Sequence, residues 1–253
     1  MISFIVPAYN EELELPATIA AIREAAQDRQ HEIIVVDDAS TDRTAEIANA
    51  SGARVISINR RQIAASRNAG ARGSAGDILF FVDADTRINP QHVRGAIEAI
   101  GNGFAGGSAQ IRVEETVPLW ARVSLKIFCF VYFAFNLGAG AFLFTTRKNY
   151  EAAGGFDEKL FIGEEVYFSL ALRKLGRFKI LSEPMVTSGR KLRMYSAGQI
   201  LWHSTRVVLL GPRIARSRDG LGIWYDGKRE TRSAYADPQS GSDLRRDQST
   251  STP

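Results

Sequence analysis

Residues 78–85 read ILFFVDAD, a run of five apolar residues followed by two aspartates with an alanine between them. A continuous apolar run of this length is typical of a central strand that is buried on both faces of a sheet. Such strands are covered by helices on both sides, so the run predicts an α/β fold. Carboxylates at the end of a buried strand need a neutralising partner. Residues 78–85 therefore predict a binding site as well as a strand.

The sequence on either side of this run alternates between strand and helix patterns, which predicts a mostly parallel sheet. The predicted strands lie at Ile2–Val6, Glu32–Val36, Val55–Ile58 and Ile78–Val82. The predicted helices lie at Leu15–Arg29, after a cap at Ser40 or Thr41 as far as Gly52, at Ile63–Ser74, and at 90–100 with Pro90 in the first turn.

The pattern is less regular after residue 100. It predicts strands near Phe104–Val113 and Ala141–Thr145, and a helix at Glu164–Leu175 with Val166, Leu170 and Leu175 on one side. The last residues, 231–253, are mostly polar and bury too little apolar surface to offset the entropy of ordering them. We therefore predict a disordered tail there.

An apolar helix is also predicted at about 119–135. Residues 127–144 carry no charge over 18 positions, the lower limit for a spanning helix, but Asn136, Gly138 and Gly140 interrupt the run. We expect no full membrane span. The helix either packs in the core or lies against a membrane, an acceptor or a second subunit, which leaves a homodimer open.

Cysteine use and the N-terminus predict the compartment. Cys129 is the only cysteine, so no internal disulfide can form, and no basic segment precedes a cleavable apolar run. These features predict a cytoplasmic protein, with a peripheral position at the inner face of the membrane as the alternative.

Polar or turn residues follow three of the predicted strands, at 7–11, 37–40 and 83–85. Ligands bind beyond the carboxyl ends of parallel strands, so the three groups predict one shared crevice. Asp83 and Asp85 project to the same side if strand geometry continues past Val82. Two carboxylates suit Mg²⁺ or Mn²⁺, which take their remaining ligands from water and substrate phosphates.

Six ordered motifs lie at 4–12, 35–42, 67–70, 83–85, 154–158 and 163–165. Together they resemble family 2 glycosyltransferases of the GT-A fold, and the resemblance covers about residues 2–230. It implies an α/β fold of the GT-A nucleotide-diphospho-sugar transferase type, with a mostly parallel central sheet and helices on both faces. The donor-binding part would cover about 1–110, and the acceptor and catalytic part about 111–230.

The resemblance also implies roles for individual residues in binding the donor. Asp38 would accept a hydrogen bond from the base, Arg67 would contact the nucleotide, and Asp85 would bind the metal that bridges the diphosphate. The nucleotide site as a whole would comprise Pro7, Ala8, Tyr9, Glu11, Asp38, Arg67, Asp83 and Ala84, with Asp83 on the ribose.

An inverting transfer needs a carboxylate that takes the proton from the attacking hydroxyl. The family places it in an acidic pair at a helix start, which Glu164 and Glu165 match here. Glu165 is the predicted base, although the family usually has Asp at this position, and Glu164 stays open. The alternative is that both acids only stabilise the positive end of the helix.

A basic segment follows residue 187 and resembles the loop that closes over the diphosphate in related transferases. Its predicted diphosphate ligands are Arg190, Lys191 and Arg193, because one guanidinium group can donate two parallel hydrogen bonds to phosphate oxygens. No recognised nucleic-acid module accompanies these charges, so we expect no nucleic-acid partner. Residues 199–202 lack the arginine of the polymerising signature, which favours transfer of a single sugar.

The sequence therefore predicts an inverting, metal-dependent hexosyltransferase-type enzyme. It would move one sugar from a nucleoside-diphosphate sugar, with UDP favoured, to a hydroxyl acceptor that we expect to be lipid-linked. One alternative is a sugar nucleotidyltransferase, which should open with a basic Gly-rich loop that residues 7–12 lack. The other is a non-catalytic binder of nucleotide sugars or polyanions, which would not need Asp85 or Glu165.

Overall fold

A computed structural model describes residues 1–27, 29–113, 137–188 and 215–216, and shows one eight-stranded sheet with helices on both faces. The strands are β1 (Ile2–Ala8), β2 (His31–Asp38), β3 (Arg54–Ile58), β4 (Ile78–Val82), β5 (Thr86–Arg87), β6 (Gly106–Val113), β7 (Phe142–Thr146) and β8 (Phe178–Thr187). The helices are α1 (Leu15–Ala26), α2 (Thr44–Ala50), α3 (Ile63–Gly73), α4 (Pro90–Gly101), α5 (Arg147–Ala152) and α6 (Glu164–Leu175).

The sheet has a parallel half and a mixed half. The strand order is β3-β2-β1-β4-β7-β6-β8-β5, and the first four strands run parallel. β7 runs antiparallel to both β4 and β6, β8 runs parallel to β6, and β5 antiparallel to β8. The carboxyl ends of β1, β2 and β4 therefore lie at one edge of the sheet, as the strand-end motifs predict.

β4 lies between two apolar cores, which confirms its prediction as a doubly buried central strand. Phe80 faces one core, which also contains residues of α1 and α4 such as Leu15 and Val93. Phe81 faces the other, which contains residues of α3 and α6 such as Ala64 and Phe168. Neither phenylalanine of β4 has measurable exposure. Adjacent residues of a strand point to opposite faces, so both cores are anchored on this strand.

Several element boundaries differ from the predicted ones for local reasons. β1 continues through Pro7 to Ala8, because its pairing with β4 ends at Ile5 and Pro7 lies beyond the doubly paired part. α1 ends at Ala26, where Gln27 adopts a positive φ of 51°. α2 begins only at Thr44, and the carboxylate of Asp42 accepts its backbone N–H at 2.9 Å in place of a cap at Ser40 or Thr41.

The prediction for α6 is right in its bounds, and the structure shows which of its apolar residues pack. Phe168 and Leu172 are buried, whereas Leu170 and Leu175 are 40% and 44% exposed. Since the helix carries apolar residues around most of its circumference, spacing alone does not identify the face that packs.

Some predicted features lie outside the described residues. They are the apolar helix 119–135 with Cys129, the basic residues Arg190, Lys191 and Arg193, and the tail 231–253. Among the residues that the structure does describe, none of the helices combines the length and apolar character needed to cross a bilayer.

Candidate active site

The loops after β1 and β2 are joined to each other and form one wall of the crevice. The backbone N–H of Asn10 donates to Ser40 Oγ at 3.0 Å, and the N–H of Thr41 donates to Asn10 Oδ1 at 2.7 Å. The N–H of Glu11 donates to Thr44 Oγ1 at 2.7 Å. The predicted nucleoside residues Tyr9 and Glu11 are thus held beside residues 37–44.

Asp38 anchors the start of α3. Its Oδ1 accepts the backbone N–H groups of Arg60 and Arg61, both at 2.7 Å. Its Oδ2 accepts the N–H of Gln62 at 2.7 Å and the hydroxyl of Ser66 at 3.0 Å. Protein donors thus contact both oxygens of this buried carboxylate, and a hydrogen bond from the base to Asp38 stays a prediction.

The same anchor holds Arg61 over Tyr9. Arg61 has a positive φ of 50°, and its guanidinium carbon lies 3.4 Å from the centroid of the Tyr9 ring. Pro7 and Ala8 lie within β1, where Ala8 pairs with Asp37. Tyr9 and Arg61 therefore place an aromatic ring and a cation next to each other at the carboxyl end of β1.

Asp83 and Asp85 lie in a turn and not in an extended strand, which corrects the expectation that strand geometry continues. The N–H of Thr86 donates to the carbonyl of Asp83 at 3.0 Å and closes the turn. Ala84 is held by the hydroxyl of Thr18, which donates to its carbonyl at 2.6 Å. The N–H of Ser188, just after β8, donates to the carbonyl of Asp85 at 3.1 Å. The predicted metal ligand therefore lies beside the start of the basic segment, since Arg190 follows Ser188 by two residues.

Arg67 connects the turn to the acidic pair on α6. Its Nη1 donates to Glu164 Oε1 at 2.8 Å, and its Nη2 donates to Asp83 Oδ1 at 3.0 Å and to the carbonyl of Gly140 at 2.8 Å. The side chain is 1% exposed, and no acceptor for its Nε lies among the described residues. Its terminal nitrogens are thus engaged by the protein, so it fixes Asp83 relative to Glu164. Contact with the nucleotide stays a prediction.

A cavity of about 280 Å³ lies between the turn and the start of α6, and it brings the predicted catalytic residues together. Its lining residues include Arg67, Asp83, Phe161, Glu164 and Glu165. Sequence reasoning missed the contribution of Gly140, because nothing in the spacing indicates that a residue before β7 lies beside Arg67.

The two glutamates at the start of α6 differ in their surroundings. Arg67 forms its ion pair with Glu164, which is buried. Burial, together with the neighbouring charge of Glu164, raises the pKa of Glu165 to about 8, against the opposing attraction of Arg67. Burial also raises the pKa of the Asp83 carboxyl, again opposed by Arg67. A carboxyl whose pKa lies near neutral suits proton transfer.

The donor set fits a divalent cation that shares its coordination with substrate. Within the described ranges, no group of three or more His, Cys, Asp or Glu side chains is arranged to hold a metal. Mg²⁺ needs no such group, since it is commonly held by one or two carboxylates and the phosphates of the substrate. Asp85, whose charge contributes to the raised pKa of the neighbouring Asp83, matches that smaller set.

Comparison with known proteins gives a consistent result. Residues 3–158 match the family described as Glycosyl transferase family 2. A 4,4'-diaponeurosporenoate glycosyltransferase from Staphylococcus haemolyticus is 40% identical over 111 residues, which cover 41% of this chain and 28% of the relative. An undecaprenyl-phosphate 4-deoxy-4-formamido-L-arabinose transferase from Pseudomonas aeruginosa is 33% identical over 133 residues, 48% of this chain and 38% of the relative. This chain therefore spans well under half of either relative.

The fold is that of GT-A transferases. The mannosyltransferase PcManGT from Pyrobaculum calidifontis, solved in complex with GDP-Man and Mn²⁺, superposes with a TM-score of 0.63 at 19% identity, over 85% of this chain and 62% of that one. At this identity the likeness is evidence for the shared fold alone. The likeness confirms the predicted fold class. The mixed half of the sheet was not part of that prediction.

Proposed function

Since this chain belongs to glycosyl transferase family 2 and is a glycosyltransferase, we propose that it moves a single sugar, with inversion, from a nucleoside-diphosphate sugar to an acceptor hydroxyl. A UDP-sugar is the favoured donor. The observation that carries the proposal is the cavity in which Glu165 lies beside Asp83, with Arg67 between the turn and α6.

The donor would lie with its nucleoside against Tyr9 and its diphosphate at the turn. Asp85, with Asp83 beside it, would hold a Mg²⁺ or Mn²⁺ ion whose charge offsets that of the diphosphate leaving group. Arg190, Lys191 and Arg193 would bind the phosphate oxygens from the segment that follows Ser188. PcManGT, whose solved complex contains GDP-Man and Mn²⁺, supports the use of a divalent cation.

Glu165 would act as the base in the sugar transfer in its ionised form, the fraction of which grows as the pH approaches the raised pKa of about 8. It would take the proton from the acceptor hydroxyl as that oxygen attacks the anomeric carbon from the side opposite the diphosphate, which inverts the configuration. Glu164 would instead position Arg67, because its carboxylate is paired with that guanidinium. The assignment favours Glu165 over Glu164 because the guanidinium of Arg67 already occupies the carboxylate of Glu164.

The acceptor proposed is a hydroxyl on a lipid-linked molecule. One relative is named for undecaprenyl-phosphate, so a lipid phosphate is the second candidate acceptor. The two differ in their need for Glu165, since a phosphate monoester is already ionised at neutral pH and attacks without losing a proton. A raised pKa at Glu165 favours the hydroxyl.

Calorimetric titration of UDP, GDP and TDP, with and without Mn²⁺, tests the donor site. We expect the wild type to bind one of them much more tightly with Mn²⁺, and Asp85→Ala to lose the Mn²⁺-dependent part. Asp77→Ala, which removes an exposed carboxylate elsewhere, is the matched control. Equal binding by the wild type and Asp85→Ala would remove Asp85 from the metal site, and no binding of any nucleotide would favour a different class of ligand.

A further inference from the structure

Helix α6 carries exposed apolar side chains on the side that faces away from the core. Tyr167 and Leu170 are 44% and 40% exposed, and Leu175 in the last turn is 44% exposed. Met1 is the one other large hydrophobic residue exposed in the described part of the chain. Surface helices normally place polar residues outward. We call the surface formed by Tyr167, Leu170, Lys174 and Leu175 the outer face of α6.

Two cations adjoin the outer face. Arg173 and Lys174 are exposed in the last turn of α6, beside Leu170. The next two basic residues, Arg177 and Lys179, lie over the Phe104 ring, which packs against the core that contains α4, and therefore on the other side of the sheet. Apolar and aromatic side chains next to cations are the pattern of a helix that lies on an anionic membrane surface.

The outer face is also close to the candidate active site. α6 begins with Glu164 and Glu165, which line the cavity, and Tyr167 follows Glu165 by two residues. A surface in contact with a bilayer at Tyr167 would thus bring the cavity to the level of the lipid head groups. No described feature of the fold requires this clustering for packing, since Phe168 and Leu172 already anchor α6 on the core.

We propose that the outer face of α6 docks on an anionic lipid bilayer. The apolar side chains enter the boundary between head groups and acyl chains, and Lys174 with Arg173 contacts anionic head groups. This surface extends the proposed function, because it places the enzyme where a lipid-linked acceptor lies. It does not depend on the identity of the donor or of the base.

Sedimentation of the full chain with vesicles tests the proposal. One vesicle set is phosphatidylcholine alone, and the other contains an equal part of phosphatidylglycerol. We expect the wild type to sediment with the anionic set, and Tyr167→Ser/Leu170→Ser to bind it at least about tenfold more weakly. Lys174→Gln should bind about fivefold more weakly on the anionic set and unchanged on the neutral one.

Arg94→Gln is the matched control, because it removes the same charge from an exposed position of α4 on the opposite face of the sheet. It should sediment like the wild type, and circular dichroism should show all variants folded. The proposal is overturned if the wild type does not bind anionic vesicles. It is also overturned if the double variant and Lys174→Gln both bind them as strongly as the wild type does. A wild-type dimer that the double variant converts to a monomer overturns it too, since a second copy would then cover the outer face. Nucleotide binding, measured without vesicles, tests the proposed function separately.

Discussion

Three acidic residues, Asp83, Glu164 and Glu165, lie near Arg67, which forms ion pairs with two of them. Asp83 and Glu164 each accept from a terminal nitrogen of Arg67, while Glu165 shares the cavity with them. Two identical side chains, next to each other in the chain, therefore have different partners.

At the residue scale, Glu165→Gln should abolish most of the sugar transfer while leaving nucleotide binding unchanged. Glutamine keeps the size of the side chain but cannot accept the proton, so we expect a loss of about 10² to 10⁴ in kcat. Turnover is measured with an acceptor that the wild-type enzyme uses, and calorimetry measures nucleotide affinity. Glu151→Gln, an exposed glutamate of α5, is the control and should retain wild-type turnover.

Two other results of that experiment would change the assignment. Wild-type turnover in Glu165→Gln together with its loss in Glu164→Gln would make Glu164 the base. A loss smaller than about tenfold in both variants would favour an acceptor that needs no base, such as a lipid phosphate.

Residue types and strand ends were enough to select carboxylates that the structure brings into one cavity, but not to predict how they are connected. Asp83 and Glu165 were both identified from the sequence, and the structure places them in one cavity. The pairing of Arg67 with Glu164 spans 97 positions, and the saturation of Asp38 depends on a loop more than 20 positions away. Contacts of this kind follow from tertiary packing and leave no local pattern.

At the scale of elements, Asp38 fixes the start of α3 relative to the end of β2. Asp38→Asn replaces one carboxylate oxygen with an NH₂ group, which cannot accept a hydrogen bond. Because both oxygens of Asp38 accept backbone N–H groups, at least one buried N–H group loses its partner. We expect the free energy of unfolding to fall by about 1–3 kcal/mol. Urea denaturation measures the change, and the contact between Arg61 and Tyr9 should loosen with it.

Asp77→Asn is the control for the Asp38 variant. Asp77 is 87% exposed and pairs only with the N-terminal amine among the described residues, so its loss should change stability by less than about 0.5 kcal/mol. Equal stability of Asp38→Asn and the wild type would show that the four hydrogen bonds of Asp38 do not anchor α3.

Elements with strong local patterns were predicted well and those defined by distant partners were not. β4 and α6 have the predicted bounds, because a continuous apolar run and a helix that starts with two acids are local signals. The two-residue β5 and the ten-residue β8 were missed. β5 exists only through its pairing with β8, and β8 contains Pro184 and irregular burial without clear alternation.

For the whole molecule, the raised pKa of Glu165 makes stability depend on pH. The folded protein holds this proton up to about pH 8, whereas the unfolded chain releases it near its ordinary pKa of 4.5. The stabilising contribution is therefore complete below about pH 4.5 and is lost as the pH rises to about 8. Glu165→Gln lacks this loss, because glutamine stays neutral.

We expect Glu165→Gln to become more stable relative to the wild type as the pH rises from 5 to 8.5, by up to about 4 kcal/mol. Chemical denaturation of both proteins across this range measures the difference. Glu151→Gln should show no such trend, since Glu151 is exposed. A constant difference between Glu165→Gln and the wild type would mean that Glu165 is ionised in the folded protein throughout.

The pairing of β5 with β8 has a consequence for the order in which the molecule folds. In the parallel half, β1 pairs with β2 and β2 with β3 across fewer than 30 positions of the chain, whereas β1 pairs with β4 across 76, from Ile2 to Ile78. Thr86 pairs with Thr187 across 101 positions, the longest of these separations. Closing a long loop costs entropy before its contacts form, and such contacts tend to form late. We therefore expect the pairing of β1, β2 and β3 to form early and the turn at 83–86 to be fixed last, so that an incompletely folded molecule would lack the proposed metal site while most of the sheet is already paired.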